Sequence, residues 1–243
     1  LFYPPNWLWM LVHPTWLYAW LTLFHVAVGA AGMWALARAR GRSPAARALA
    51  ALTLALGAFC VLELRHAMFV ATTAWLPWLL WGIERLARRR TVEHALEIAL
   101  TAALALLAGG WSMLVWGAVV VAIYAGAAIV RAGHRRARLT LAATLAATAA
   151  LGLALAMVQI VPAVAHARLS PRALGVTPEF ASSYAWPSWR YALTLFLPTL
   201  YGDVARGSYA GAPDQWELCG YGIGVIGGLL ALASLKTRER RGE

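Results

Sequence analysis

The sequence predicts an all-α protein, a polytopic transmembrane bundle of about seven helices with a long extracytoplasmic loop between the last two. Hydrophobic residues make up 61% of the 243 residues and charged residues 13%, with a mean hydropathy of +0.64. A soluble chain carries roughly twice that charged fraction. Sixteen of the 21 basic residues fall in four short clusters, and the apolar runs between them suit a hydrocarbon core of ~30 Å. The clusters are Arg38, Arg40, Arg42 and Arg47; Arg85, Arg88, Arg89 and Arg90; Arg131, Arg135, Arg136 and Arg138; and Lys236, Arg238, Arg240 and Arg241.

The basic clusters also predict the orientation, because short cytoplasmic loops concentrate Lys and Arg. The predicted spans are residues 16–37, 44–62, 67–87, 94–109, 111–130, 139–161 and 218–235. Alternation then places outside the residues 1–15, 63–66, 109–111 and 162–217. The outer side is neutral and the whole net charge of +11 lies inside. Since the basic residues are divided among several loops, they form no contiguous footprint for nucleic acid, which argues against such a partner.

The start of the chain predicts a fragment of a longer protein. The chain begins at Leu1 without Met, and the residues that follow resemble neither a signal peptide nor a cytoplasmic start. If the natural N-terminus is cytoplasmic, an odd number of spans entered from outside implies at least one further span upstream. Residues 1–243 are expected to form a single integral membrane domain.

Small and polar residues within the spans indicate packing or binding. In the sixth span, Ala143 and Ala147 stand four residues apart and predict a close helix contact. Gln159 lies near the outer end of that span, where a polar group is costly and often functional. It suits either an interhelical hydrogen bond or a ligand contact. His66, at the mouth of the third span, and His25, within the first, are more typical of packing residues, and no spacing predicts a metal site.

The loop of residues 162–217 interleaves aromatic residues with Gly, Pro, Asp and Arg, and predicts a structured segment with a short helix over 189–197. Arg172 and Arg190 suit phosphate oxygens, or else lie at the membrane interface with their stems in lipid. Glu217 opens the last span, where it either caps the helix or lines a site. Trp216 is one of nine tryptophans on the outer side, and flat aromatic faces suit sugars and isoprenoid chains.

Taken in order, six motifs resemble those of the bacterial YfhO family over nearly the whole chain. They are Phe2–Asn6; Phe24-His25 through Gly32-Met33; His66 with Ala74–Pro77; Leu107–Gly109; Gln159–Pro162 with Ser170–Arg172; and Trp216-Glu217 with Gly220–Gly224. That family is similar to the GT-C glycosyltransferases. The resemblance implies a multi-pass enzyme of the bacterial plasma membrane, surrounded by membrane lipids. Such an enzyme transfers a sugar from a polyprenyl-phosphate donor to a cell-envelope polymer or lipid on the outer face.

The resemblance also implies residue roles. Arg172 and Arg190 would contact the donor phosphate, while the substrate site would include Gln159, Glu217, Trp216 and His66. The catalytic base of such enzymes is an acid in the first outer loop, which deprotonates the acceptor hydroxyl. In this chain that loop would precede Leu1, so no catalytic residue is assigned. Members also carry an acid shortly after Gln-x-x-Pro, where this chain has Ala165 and His166. No cofactor is implied, and a divalent metal stays open.

Two further functions stay open. A lipid or polysaccharide flippase or transporter would usually place its polar residues near the midplane, at broken helices in repeated halves. Here the polar residues collect on the outer side and the chain has no internal repeat, which favours the enzyme. A membrane subunit without catalytic chemistry is the third alternative.

Overall fold

The computed structural model describes residues 2–12, 15–170, 175, 177–183, 187–212, 227–230 and 233. Helices are the only regular structure in this part of the chain. The chain divides into two compact units. The first unit comprises Leu1–Ala55 and Glu63–Ser170, and the second comprises Leu56–Leu62 and Pro171–Glu243.

The helices follow the apolar runs of the sequence. In chain order they are α1 (Leu8–Leu11), α2 (Trp16–Ala39), α3 (Pro44–Ala55), α4 (Ala58–Leu62), α5 (Ala67–Ala74), α6 (Leu76–Arg88), α7 (Val92–Leu107), α8 (Trp111–Arg131), α9 (Arg135–Arg168) and α10 (Pro178–Ser183). Short 3-10 helices cover Pro4–Trp7, Glu63–Arg65 and Trp189–Leu195. The all-α prediction is confirmed for the described residues.

Four helical stretches are long and apolar enough to cross a membrane, namely Trp16–Ala39, Pro44–Arg65, Trp111–Arg131 and Arg135–Arg168. They correspond to the predicted first, second, fifth and sixth spans. The predicted third span is divided into α5 and α6, of 8 and 13 residues, and the fourth is α7, of 16 residues. These are shorter than the roughly 17 residues that a spanning helix needs. The predicted seventh span, 218–235, lies outside the described residues except for residues 227–230 and residue 233, which are helical.

The helix that corresponds to the sixth predicted span is longer than predicted. Helix α9 has 34 residues and continues through Pro162 to Arg168, so the loop predicted to begin at residue 162 begins after the helix. At 1.5 Å per residue α9 is about 51 Å long. Because a hydrocarbon core is ~30 Å thick, α9 is long enough to extend beyond it.

Helix α2 packs against α3, α5 and α6, helix α6 also packs against α7 and α8, and α7 packs against α9. Between α6 and its neighbours lies a core that includes Ile83, Leu86 and Leu141, all nearly inaccessible to solvent. By contrast, only 11% of the most apolar stretch of α8 is buried, and Val115 and Ile123 are exposed. A helix with an uncovered apolar face suits a lipid environment.

The close contact between α7 and α9 uses small residues other than the predicted pair. Ala143 and Ala147 are exposed, so that prediction was wrong. The buried small residues of α9 lie on the adjacent face of the helix, offset by one residue from the predicted pair, and they are Thr148, Gly152 and Ala156. At their centre, Gly152 lies against α7, where a Cβ atom would stand 2.8 Å from the Ala99 carbonyl oxygen.

A polar network joins α2, α6 and α8 near the ends that carry the basic clusters. Glu84 accepts hydrogen bonds from Tyr124 Oη at 2.8 Å and from Arg88 Nη2 at 3.0 Å. Arg40 Nε lies 3.2 Å from Glu84 Oε2 and 3.1 Å from Tyr124 Oη. We call these four residues the Glu84 network. Both oxygens of its buried carboxylate are therefore partnered, and three helices are tied at this end.

Candidate functional site

A cavity of about 250 Å³ opens within the first unit, far from the Glu84 network. Its residue His25, on α2, precedes Arg40, the C-cap of that helix, by fifteen positions, which is about 22 Å along the helix axis. We call it the Tyr3–His25 cavity, and its lining residues are Tyr3, Asn6, Trp9, Tyr18, Leu21, His25, Ala67, Met68, Ala71 and Ala108. Ligand pockets usually measure roughly 300 to 1,000 Å³, so this one suits a single small polar molecule.

Tyr3 fixes the segment that forms one wall of this cavity. Its side chain is only 2% exposed and packs against Ala71 of α5 and Ala108 at the end of α7. Directly after it, Pro4 and Pro5 open the 3-10 helix Pro4–Trp7, where a missing backbone N–H costs nothing. The anchored tyrosine and the short helix together hold Asn6 and Trp9 at the cavity.

A chain of hydrogen bonds joins Tyr3 to α2 and to the break between α5 and α6. Trp75 Nε1 donates to Tyr3 Oη at 2.8 Å, and Tyr3 Oη lies 2.6 Å from His25 Nε2. His25 Nδ1 contacts the Leu21 carbonyl oxygen, which can only accept. The imidazole therefore carries its proton on Nδ1, and Nε2 accepts from Tyr3. Burial raises the pKa of the Tyr3 phenol, which keeps it a donor.

These hydrogen bonds leave different groups available for a ligand. The polar atoms of Tyr3 and His25 already have partners, as does Tyr18 Oη, which accepts from the Ala67 backbone N–H at 3.1 Å. Asn6 and Trp9, in contrast, show no side-chain hydrogen bond to the described residues. The cavity therefore offers one amide and one indole N–H beside aromatic faces.

His66 lies beside this cavity, because it caps α5 and the next two residues, Ala67 and Met68, line the wall. Its Nδ1 atom is 2.6 Å from Oε2 of Glu63. The carboxylate is buried, with 2% of its side chain exposed, whereas 35% of the imidazole is exposed. The sequence favoured a packing role for His66, but the structure gives it an acidic partner.

Gln159 joins α9 to the end of α7. Its Nε2 atom donates to the Leu107 carbonyl oxygen at 2.9 Å, which is the interhelical hydrogen bond that the sequence left open. Its buried Oε1 atom has no partner among the described residues. The same end of α7 is held by Thr72, whose Oγ1 accepts from the Gly110 backbone N–H at 2.9 Å. A ligand contact through Gln159 Oε1 stays a prediction.

The remaining predicted site residues belong to the second unit. Arg190 is exposed in the 3-10 helix Trp189–Leu195, close to the helix predicted over 189–197. Its neighbour Tyr191 stacks on Tyr201 with ring centroids 4.3 Å apart and accepts from the Ala212 backbone N–H. Arg172, Trp216 and Glu217 lie outside the described residues.

Sequence reasoning did not assign the residues of the Tyr3–His25 cavity to a site. Tyr3 and Asn6 belong to the first motif of the family resemblance, and His25 belongs to the second. Membership of an ordered motif was thus the signal that marked them. Within the described residues, no group of three or more His, Cys, Asp or Glu side chains is placed to hold a metal ion.

No protein family, curated protein or solved structure matches this chain.

Proposed function

We propose that this chain is part of a multi-pass membrane glycosyltransferase of the GT-C type, acting at the outer face of a bacterial plasma membrane. Its donor is a polyprenyl-phosphate-linked sugar, and its acceptor is a polymer or lipid of the cell envelope. The observation that carries the proposal is the Tyr3–His25 cavity, a small polar and aromatic space at the end of the first unit away from the Glu84 network.

The chemistry of the cavity suits a sugar. Each hydroxyl of a pyranose both donates and accepts, and the Asn6 amide supplies groups of both kinds. The ring C–H face of a sugar packs on flat aromatic side chains, here those of Trp9 and Tyr18. Because the volume is small, one sugar ring enters while the polyprenyl chain stays in the surrounding lipid.

The position of the cavity favours a transferase over a transporter. A transporter binds its cargo near the midplane, where access alternates between the two sides. In the first unit the Tyr3–His25 cavity and the Glu84 network lie at different ends, and the core of Ile83, Leu86 and Leu141 lies toward the network. A site at one end serves a reaction that takes place at one membrane face.

The proposal keeps the residue roles that the resemblance implies. Arg172 and Arg190 contact the donor phosphate, since guanidinium groups match phosphate oxygens. Gln159, Glu217, Trp216 and His66 contribute to the substrate site. The acid that such enzymes carry in their first outer loop would precede Leu1.

The test uses the full-length protein in vesicles, with polyprenyl-phosphate-linked [14C]glucose and [14C]N-acetylglucosamine as donors and a cell-envelope fraction as acceptor. We expect label to move from the lipid phase into the envelope fraction. Asn6→Ala and Trp9→Ala should each lower the rate by about tenfold, which corresponds to ~1.4 kcal/mol of lost transition-state stabilisation. Trp116→Ala, at an exposed position of α8, is the matched control and should leave the rate unchanged. Donor that crosses between leaflets without transfer would support a flippase instead.

A further inference from the structure

We propose that the basic end of the first unit binds the phosphate groups of anionic phospholipids. Six exposed arginines stand in the loops and at the helix ends there, and we call them the arginine surface: Arg42, Arg89, Arg90, Arg131, Arg135 and Arg136. By the predicted orientation, these lipids belong to the inner leaflet. The inference goes beyond the proposed function and does not depend on it, because it concerns the end of the unit away from the Tyr3–His25 cavity.

The Glu84 network brings these arginines to one end of the unit. It joins α2, α6 and α8, and each of these helices ends in one of the basic clusters. Arg42 and Arg89 each lie within two residues of a member of the network. Arg131 comes seven residues after Tyr124, which is about two turns and 10 Å further along the same face of α8. Three loops that are separate in the sequence therefore present their guanidinium groups together.

The protein itself supplies few carboxylates to neutralise the arginine surface. Residues 38–47 contain no acid, and residues 84–138 contain three. One of these three is held in the Glu84 network, and Glu97 lies 2.6 Å from Arg85 Nη1. The third, Glu93, is at a fully exposed position. None of the six arginine side chains forms a hydrogen bond or ion pair with the described residues, so their charge is open to an anion from outside the chain.

Exposed apolar side chains border the arginine surface and indicate its depth in the membrane. Val92, Val130 and Leu139 are each more than half exposed, and each lies within three residues of one of the six arginines. Such apolar side chains suit hydrocarbon, whereas a guanidinium group stays in the polar layer beside it. The arginines therefore lie at the level of the lipid headgroups. A nucleic acid or a soluble anion would leave the apolar border uncovered.

Orientation and helix dipoles account for only part of this charge. The orientation rule counts Lys and Arg alike, whereas every Lys or Arg position between residues 38 and 138 is Arg. The helix dipole of α8 favours Arg131, its last residue. The dipole of α9 disfavours Arg135 and Arg136, which stand in its first turn without an acid. A lipid phosphate beside these two arginines offsets that repulsion.

The side-chain chemistry matches phosphate. A guanidinium group presents its N–H donors as a planar fork that pairs with two phosphate oxygens at once. Basic pockets between the cytoplasmic ends of membrane helices are a common site for anionic headgroups. The arginine surface combines this chemistry with a position at the headgroup level.

The test measures lipid binding to the purified full chain in micelles of a neutral detergent. The two probes are phosphatidylglycerol and phosphatidylcholine with the same acyl chains and the same acyl-chain fluorophore. We expect phosphatidylglycerol to bind about 25-fold more tightly, since two arginines contribute about fivefold each. Its Kd should rise with salt, which screens the attraction, and inorganic phosphate should not displace it. Equal binding of the two lipids would overturn the proposal, and so would displacement by inorganic phosphate.

Matched variants separate the arginine surface from net charge and from folding. The double variant Arg89→Gln/Arg131→Gln should lose most of the preference for phosphatidylglycerol. The control Arg168→Gln/Arg206→Gln removes the same charge at exposed positions predicted to lie outside, and it should bind as the wild type does. Arg89→Lys/Arg131→Lys keeps the charge that orients the chain but loses the forks, so its affinity should fall between those of the wild type and the Gln variant. Wild-type affinity in the Gln variant, or an equal loss in the control, would refute the proposal.

Discussion

The contact between α7 and α9 leads to a prediction in which two glycines of the same chain are compared. Gly152 of α9 lies in the contact, whereas Gly126 of α8 has no atom within 4 Å of the place where a Cβ would stand. We expect Gly152→Ala to destabilise the protein and Gly126→Ala to leave its stability unchanged. Both substitutions add one methyl group inside a helix, so helix propensity does not separate them.

The magnitude follows from the neighbours of the added atom. A Cβ on Gly152 would lie 2.8 Å from Ala102 Cβ and 2.8 Å from the Ala99 carbonyl oxygen. Neither atom belongs to a flexible side chain that can rotate away, so α7 and α9 must separate. Overpacking of this kind costs about 1–3 kcal/mol. The unfolded state in sodium dodecyl sulfate is itself helical, so the higher helix propensity of alanine stabilises both states and does little to offset this cost.

The assay is equilibrium unfolding in mixed micelles, followed by circular dichroism as sodium dodecyl sulfate is titrated. We expect the midpoint of Gly152→Ala to fall to a lower detergent fraction, while that of Gly126→Ala matches the wild type. Equal midpoints for the two variants would refute the close contact between α7 and α9.

Four more predictions follow from the polar contacts and the charge pattern. Tyr3→Phe leaves Trp75 Nε1 and His25 Nε2 without their partner, so the same unfolding assay should show a loss of about 1–3 kcal/mol. Because burial raises the pKa of Tyr3 above its ordinary 10, the unfolded state ionises first, and the wild-type protein should lose stability above pH 10 more steeply than Tyr3→Phe does. Glu84→Ala removes the partner of three side chains and should cost about 2–4 kcal/mol by unfolding, whereas Glu93→Ala, at a fully exposed position, should be neutral. With both native cysteines replaced, a membrane-impermeant maleimide should label Ser43→Cys and Gly133→Cys from one side and Phe2→Cys from the other, and labelling of all three from one side would contradict the predicted orientation.

The order of the helices could be predicted from the sequence, because apolar runs and basic clusters are properties of local composition. Helix α2, for example, ends at Ala39, two residues beyond the predicted boundary. The face that each helix buries could not be predicted in the same way. In α9, Ala143 and Ala147 form as good a small-residue stripe as Thr148, Gly152 and Ala156, and only the position of α7 decides between them.

The candidate site was predictable only as single residues. Gln159 and His66 were marked by polarity near the ends of apolar runs, and the structure shows a partner for each. The pairing of Tyr3 with His25, 22 positions apart, depends on the N-terminal segment lying against α5 and α7. Such a contact depends on tertiary packing between distant segments, and no periodic pattern in the sequence predicts it.

The two ends of the first unit differ in how their polar groups are satisfied. At the Glu84 network both carboxylate oxygens have partners, and the network joins three helices. Toward the other end, Gln159 Oε1 and Thr73 Oγ1 are the two buried side-chain atoms in the described residues that have no partner. An unsatisfied buried polar group costs about 1–3 kcal/mol. Neither Gln159 nor Thr73 lines the Tyr3–His25 cavity, so this cost falls on the packing of α5 and α9, and the polar groups that the cavity itself offers a ligand are those of Asn6 and Trp9.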